Sequence, residues 1–208
     1  MDIQKHWETM YLRKTPERLA WYTPHLQTSL KWINDLDLTS DAPVIDVGCG
    51  ASTLIDDLLY GGYGALTGLD CAETALDIME DRLADRAASI SWITADINKV
   101  ALPSRHYAVW HDRAMFHFLT NEQQQAQYIR QLSDALRPAG HAIMAVFSPT
   151  APPACSGLRV QRYTAKTLSA TLGENFTLIK EKKEVHVTPG GVQQVYQYCL
   201  FSKQGDAP

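Results

Sequence analysis

Apolar residues along the 208-residue chain keep changing between two spacings, short continuous runs and stripes that repeat every three or four positions. This predicts strands alternating with helices, the signature of an α/β fold. The runs are PVIDV (43–47), ALTGL (65–69), ISWIT (90–94), YAVWH (107–111) and HAIMAVF (141–147). Each is short and nearly all apolar, as expected of strands covered on both faces of a parallel sheet. STLIDDLL follows the first run as a helix; Leu76, Met79 and Leu83 form one later helical stripe, and Tyr128, Ile129, Leu132 and Leu136 form another. The second stripe opens at TNEQ, where Thr120 and Gln123 have capping-box spacing, and stops at LRPAG. Beyond the turn-rich SPTAPPACSG, the segment TAKTLSATLG predicts a short helix with Thr164 as N-cap and Gly173 at its C-terminal end. FTLIKEKKEVHV and VQQVYQYCLF then flank TPGG as a hairpin, adding an antiparallel pair to an otherwise parallel sheet.

The stretch VIDVGCGAS (44–52) lies between the first strand and the next helix, where open α/β sheets bind ligands. A dinucleotide fingerprint needs a third glycine where Thr53 stands, and Asp46 precedes Gly48 by two residues. Both features suit a nucleoside cofactor without a diphosphate, such as S-adenosylmethionine, better than NAD.

With TGLDCAETALDIM, ITADINKVALP, YAVWHDRAMFHFL and LRPAGHAIMAVFSP following in order, the chain resembles the class I S-adenosylmethionine-dependent methyltransferases from residue 43 to about 150. The resemblance implies a Rossmann-like three-layer sandwich with a mostly parallel seven-stranded sheet and a C-terminal antiparallel hairpin. It also implies S-adenosyl-L-methionine as cofactor, S-adenosyl-L-homocysteine as product, and no metal. Asp46, Gly48, Cys49 and Gly50 would then lie under the cofactor, with Asp70 on the ribose hydroxyls, Cys71 beside it, Asp96 near the adenine amine and Ile97 against the adenine face. Asp70 fits that role on chemistry alone, because a carboxylate at a strand end accepts two hydrogen bonds from a diol. Asp96 equally suits a plain turn, and small buried cysteines such as Cys49 and Cys71 act mostly as inert filler.

Residues 1–40 read as a helical lid or cap, and residues 41–208 as the methyltransferase domain proper, the whole forming one compact domain. The first segment is rich in aromatic residues: Trp7, Tyr11, Trp21, Tyr22 and Trp32. Trp7 and Trp32 are expected to pack as apolar helix faces, whereas Trp21 and Tyr22, just before a Thr-Pro, are expected to touch the ligand. The first half of the chain is also similar to the eukaryotic methyltransferases that modify lysines of elongation factor 1A and citrate synthase. In that group an acid-lysine-glycine turn follows the fourth strand, where this chain has Asp112, Arg113 and Ala114.

The sulfonium methyl is already activated, so the protein mainly aligns an in-line displacement. A general base is needed only for an acceptor that arrives as a protonated amine or a hydroxyl. His111, Asp112, Arg113 and His117 in WHDRAMFHFLT are the candidate catalytic residues, with His111 also a candidate cofactor contact. A surface Asp112–Arg113 pair and two core histidines would account for the same residues structurally. The Phe and His positions from Phe116 back to His111, with the loop around Cys155 and Ser156, are expected to wall a compact pocket. The expected function is methyl transfer to a small-molecule nucleophile; the alternatives are a protein-lysine N-methyltransferase and a non-catalytic nucleotide-binding domain.

Charge and cysteine usage narrow the setting. A net charge of -4 and a pI near 5.9 give no basic footprint for nucleic acid. Cys49, Cys71, Cys155 and Cys199 form no CxxC pair and suggest neither a disulfide framework nor zinc. The N-terminal MDIQKHWETMYLRK lacks an apolar core and no stretch approaches a membrane span, so a cytoplasmic protein with no membrane partner is expected.

Overall fold

The computed structural model describes residues 2–205; the outermost positions of the two expected segments, Met1 and 206–208, lie outside them. Seven strands form one sheet in the order β3-β2-β1-β4-β5-β9-β8. They are β1 (Val44–Val47), β2 (Leu66–Asp70), β3 (Ser91–Thr94), β4 (Tyr107–Arg113), β5 (Leu136–Phe147), β8 (Phe176–Val187) and β9 (Gln193–Lys203). A separate two-stranded ribbon, β6 (Ala154–Cys155) and β7 (Leu158–Arg159), lies in the loop after β5. The sheet runs parallel from β3 to β5, and β9 joins β5 antiparallel with β8 outside it, giving the expected α/β sandwich with a C-terminal hairpin.

Among the described residues, six α-helices connect and cover it: α1 (Ile3–Arg13), α2 (Gln27–Asn34), α3 (Leu54–Tyr60), α4 (Glu73–Leu83), α5 (Glu122–Ala135) and α6 (Ala165–Leu172). Strand alternation splits the core into two layers. From β5, Ile143, Ala145 and Phe147 meet Leu54, Leu58, Leu76 and Met79 on one face. Ala142, Met144 and Val146 meet Tyr128, Leu132 and Leu168 on the other. Each such leucine contributes about 1.5–3 kcal/mol on burial, which explains why the central strands have no polar face.

Two boundaries differ from expectation. The N-cap of α5 is Asn121, whose side chain accepts the Gln123 N–H at 2.8 Å, one residue later than Thr120. Leu136 is the first residue of β5 rather than the end of the helical stripe, because it pairs with Tyr107 before a register shift brings Val109 opposite His141. Thr164 and Gly173 cap α6 as predicted, Thr164 forming a capping box with Thr167.

The segment 1–40 divides in the structure. Trp32 and Ile33 of α2 are buried in the sheet core, Trp32 edge-on to Tyr198 at 5.9 Å between ring centroids. Residues up to Leu26, including α1 and a turn of 3-10 helix at Pro16–Arg18, instead face a cavity at the carboxyl ends of the strands. The chain leaves β1 toward β2 and β3, then returns to β4 on the other side of β1. The cavity therefore stands at the topological switch point of the sheet.

Candidate active site

The first wall of the cavity is bare backbone. Gly48 and Gly50 adopt φ of +65° and +54°, a region that favours glycine. A Cβ on Gly48 would stand 2.6 Å from that of Met115, and one on Gly50 would run into the Tyr11 hydroxyl. The N–H groups of Gly48 and Cys49 both bond to the Leu69 carbonyl, at 2.7 and 3.1 Å, tying the loop to β2.

Asp70 ends β2 beneath the same loop. Its Oδ2 accepts the Gly50 N–H and its Oδ1 the Ala72 N–H, each at 2.8 Å. Burial raises its pKa to about 6 against the pull of those two N–H donors, and the nearby charge of Asp46 adds to the rise. Asp96, after β3, makes the tight turn that was one of its two readings, its Oδ1 accepting the Asn98 N–H at 2.9 Å, and the residue lines the cavity beside Ile97. Cys49 and Cys71 also line it. Burial holds both thiols protonated, Cys71 at about 12, so neither is a thiolate nucleophile.

The end of β4 sorts the catalytic candidates by strand alternation. His111 and Arg113 face the cavity, whereas Asp112 and His117 are not among its walls. Asp112 is fully buried, accepting N–H bonds from Met115 and Phe116 and a 2.5 Å bond from the Tyr128 hydroxyl. It caps the turn that follows β4, and burial raises its pKa to about 6. The surface pair with Arg113 that offered an alternative account of Asp112 does not form, because the two side chains leave opposite faces of the strand. His117 is buried between Phe118 and Phe147, and its Nδ1 accepts the Phe147 N–H at 3.2 Å. Burial, and secondarily Arg113, lower its pKa to about 3, leaving a neutral ring behind the wall. Of the wall expected from Phe116 back to His111 and the loop around Cys155 and Ser156, His111 and Cys155 line the cavity, Phe116 is buried behind it and Ser156 lies outside it, while Phe118 completes the wall.

His111 is itself fully engaged. Nδ1 bonds to Asp46 Oδ1 at 2.6 Å and Nε2 to Ser29 Oγ at 2.8 Å, linking β4, β1 and α2 in one buried relay. Arg113 donates from Nη1 to the Trp21 carbonyl at 2.9 Å and from Nε to the Tyr198 hydroxyl at 3.2 Å, and its guanidinium lies 4.5 Å over the Tyr196 ring.

Trp21 and Tyr22 line the cavity as expected. Trp7 does too, in addition to its expected packing, which it makes against the cluster of Tyr11, Leu19, Ala51, Ala72 and Ala75. It is edge-on to Trp21 at 5.6 Å and to Phe118 at 5.0 Å, since α1 lies across the mouth rather than flat on the sheet. Sequence reasoning missed Tyr11 as a site residue, and also Ser29, Tyr196 and Tyr198. The i, i+2 spacing of the last two, in VYQYCLF, marks a shared strand face and was the available signal.

The cavity measures about 360 Å³, within the roughly 300–1,000 Å³ typical of small-molecule sites. Bare glycine backbone at the switch point, a buried carboxylate ending β2 and an aromatic cover fit an adenosyl cofactor without a diphosphate. Among the described residues no group of three metal-ligating side chains occurs, and no helix is long and apolar enough to cross a membrane.

Comparison with known proteins agrees with this geometry. Residues 44–140 match the methyltransferase domain family. The chain is 26% identical over 132 residues to a zebrafish (Danio rerio) eEF1A lysine and N-terminal methyltransferase, covering 64% of this chain and 19% of that protein. It thus spans about a fifth of the length of the curated relatives that it matches first. A zebrafish EEF1A lysine methyltransferase 2 is 21% identical over 85% of this chain and 72% of its own.

Among solved structures, one determined in work on the conversion of a disulfide bond into a thioacetal group during echinomycin biosynthesis superposes with TM-score 0.78. It shares 18% identity and covers 99% of this chain and 94% of its own. The Burkholderia thailandensis 1,6-didemethyltoxoflavin-N1-methyltransferase, solved with its acceptor and S-adenosylhomocysteine, gives 0.75 at 18% identity, covering 97% and 87%. Fold, ordered motifs and domain match together support a class I S-adenosylmethionine-dependent methyltransferase.

Proposed function

We propose that the protein transfers a methyl group from S-adenosylmethionine to a small-molecule nucleophile held in the cavity beside Arg113 and Phe118. The observation that carries this reading is the cover over the strand ends. Trp7, Tyr11 and Trp21 from the N-terminal segment, Phe118 from the turn after β4 and Cys155 from the β6–β7 ribbon close around one space. A compact acceptor fits beneath them, and the surface of a folded protein would have to displace them.

The cofactor, when bound, supplies a methyl on a sulfonium centre that leaves as a neutral thioether. The protein's own residues do the rest. The backbone at Gly48 and Gly50 would leave room for the cofactor, and Asp70, with two N–H donors already on it, would offer its remaining lone pairs to the ribose hydroxyls. Ile97 and Asp96, which line the same cavity, would hold the adenine. The aromatic cover excludes water from the transferring methyl. Asp112 and His117 act at one remove, by fixing the turn that carries Met115 and Phe118. His111, bonded at both ring nitrogens, positions Asp46 and β4.

Incubation with methyl-labelled S-adenosylmethionine and a cell lysate, separated into protein and extractable fractions, tests the proposal. Label in the low-mass fraction is expected. Label confined to a protein band, with none in small molecules, would establish the protein-lysine alternative.

A further inference from the structure

One end of the cavity carries a charge that forms no ion pair among the described residues. Arg113 is the only lysine or arginine among the described residues that line it. Its partners are all uncharged: the Trp21 carbonyl, the Tyr198 hydroxyl and the face of Tyr196. No carboxylate lies within 4 Å of the guanidinium among the described residues.

The acids nearby are already committed. Glu184, whose charge reaches Arg113, accepts from Thr28 and from Lys182 Nζ at 3.4 Å. Asp112 points to the opposite face into the Tyr128 hydroxyl, and Asp46 is held by His111. Nη2 of Arg113 takes no protein acceptor among the described residues. A half-buried guanidinium without a carboxylate in direct contact is costly to the fold unless something at the site repays it. Its planar fork of donors suits one kind of group above others, an anionic oxygen. The rings of Trp7, Trp21 and Phe118 border the same space and offer faces and edges to a flat molecule.

We propose that Arg113 anchors an anionic oxygen of the methyl acceptor, so that the substrate class is a small planar acid whose carboxylate or ionised hydroxyl meets Nη2 while its ring lies among Trp7, Trp21 and Phe118. This rests on the small-acceptor reading above and narrows it. It also supplies a reason for excluding a lysine side chain: an ammonium entering here would meet a like charge rather than a carboxylate.

Benzoate and benzamide, equal in shape and different in charge, probe the site by calorimetry on the free protein and on its complex with S-adenosylhomocysteine. Benzoate is expected to bind about tenfold or more tighter than benzamide, as a charge-assisted fork contact exceeds a neutral one. Arg113→Met should erase that preference and leave S-adenosylhomocysteine affinity within about twofold. Equal binding of the two probes, or no benzoate binding at millimolar concentration, overturns the proposal. A large loss of S-adenosylhomocysteine affinity in Arg113→Met also overturns it, by placing the guanidinium on the cofactor's own carboxylate. The wild-type comparison needs no variant, and Arg113→Lys, which keeps the charge, should keep part of the preference if Arg113→Met does not fold. Failure of wild-type protein to bind S-adenosylhomocysteine would count against the cofactor reading separately, since the probe comparison on free protein stands by itself.

Discussion

The carboxylate of Glu8 in α1 caps α4 from outside: Oε1 accepts the Glu73 N–H at 2.6 Å and Oε2 the Thr74 N–H at 3.2 Å. The N-cap residue of α4 is Ala72, which has no side-chain acceptor of its own. A neighbouring element therefore satisfies two of the N–H groups that every helix start leaves open, and places a negative charge at the positive end of the helix dipole. Tyr11, one turn further along α1, rests on Gly50. The two contacts hold α1 across the cavity.

Removing the first contact should loosen that cover. Glu8→Ala leaves the α4 start uncapped, costing about 1 kcal/mol. Affinity for S-adenosylmethionine is expected to fall by about three- to tenfold, with faster release, because the helix over the site opens more readily. Calorimetry and stopped-flow release measure both quantities. An unchanged dissociation constant would mean that α1 is fixed by other contacts and does not act as a lid.

Asp70 predicts a pH signature for cofactor binding. Ribose hydroxyls donate to the ionised carboxylate, whereas burial holds this carboxyl at about 6 in the free protein. Binding should then release protons between about pH 5 and 6, and affinity should weaken as pH falls through 6, approaching tenfold per unit below it. Calorimetry in buffers of different ionisation enthalpy reads the protons directly. Asp70→Asn turns an amide donor toward the N–H of either Gly50 or Ala72, with an expected affinity loss on the order of 1.5–3 kcal/mol and no residual proton release.

What the sequence disclosed follows from which forces are local. VIDV, LTGL and HAIMAVF announce strands because both of their faces are buried, and Gly48 and Gly50 announce the loop because their backbone conformation excludes most other residues. Asp70 was legible from its place at a strand end. The roles of His111, Asp112, Arg113 and His117 were not, because four titratable residues within seven positions look alike until strand phase assigns their faces. The cavity-lining side of Trp7 was hidden for a related reason. An aromatic on an amphipathic helix reads as a core contact, and only the path of α1 over the strand ends shows that the core it faces is a cavity.

Asp112 links the fold to pH in the opposite sense from a salt-bridged acid. Its native pKa of about 6 stands above the ordinary carboxylate value of 3.8, so the native state binds more protons than the unfolded chain between those values. Its contribution to stability is therefore greatest below about pH 4 and declines as pH rises through 6. The stability advantage of wild type over Asp112→Asn should shrink between pH 4 and 6.5 in urea titrations. An advantage that grows over this range would show that the carboxylate is better satisfied when ionised, and that the bonds from Tyr128, Met115 and Phe116 outweigh its burial.

His111 gives the sharpest test of how the acceptor is activated. With Nδ1 on Asp46 and Nε2 on Ser29 Oγ, the ring has no nitrogen left to receive a proton from a substrate. Its expected contribution is to hold Asp46 and the end of β4 in register, which places neighbouring Arg113 and the glycine loop. His111→Gln should thus lower turnover while leaving the shape of the pH–rate profile unchanged, and should lower thermal stability as well. Ser29→Ala, which removes only the Nε2 partner of a buried ring, is expected to cost about 1 kcal/mol of stability and to act in the same direction with smaller effect. Loss of the acidic limb of the kcat profile in His111→Gln would identify the imidazole as a general base after all, freed from Ser29 when substrate enters. The unchanged profile expected here leaves the acceptor to arrive already ionised, which is the state that the guanidinium of Arg113 favours.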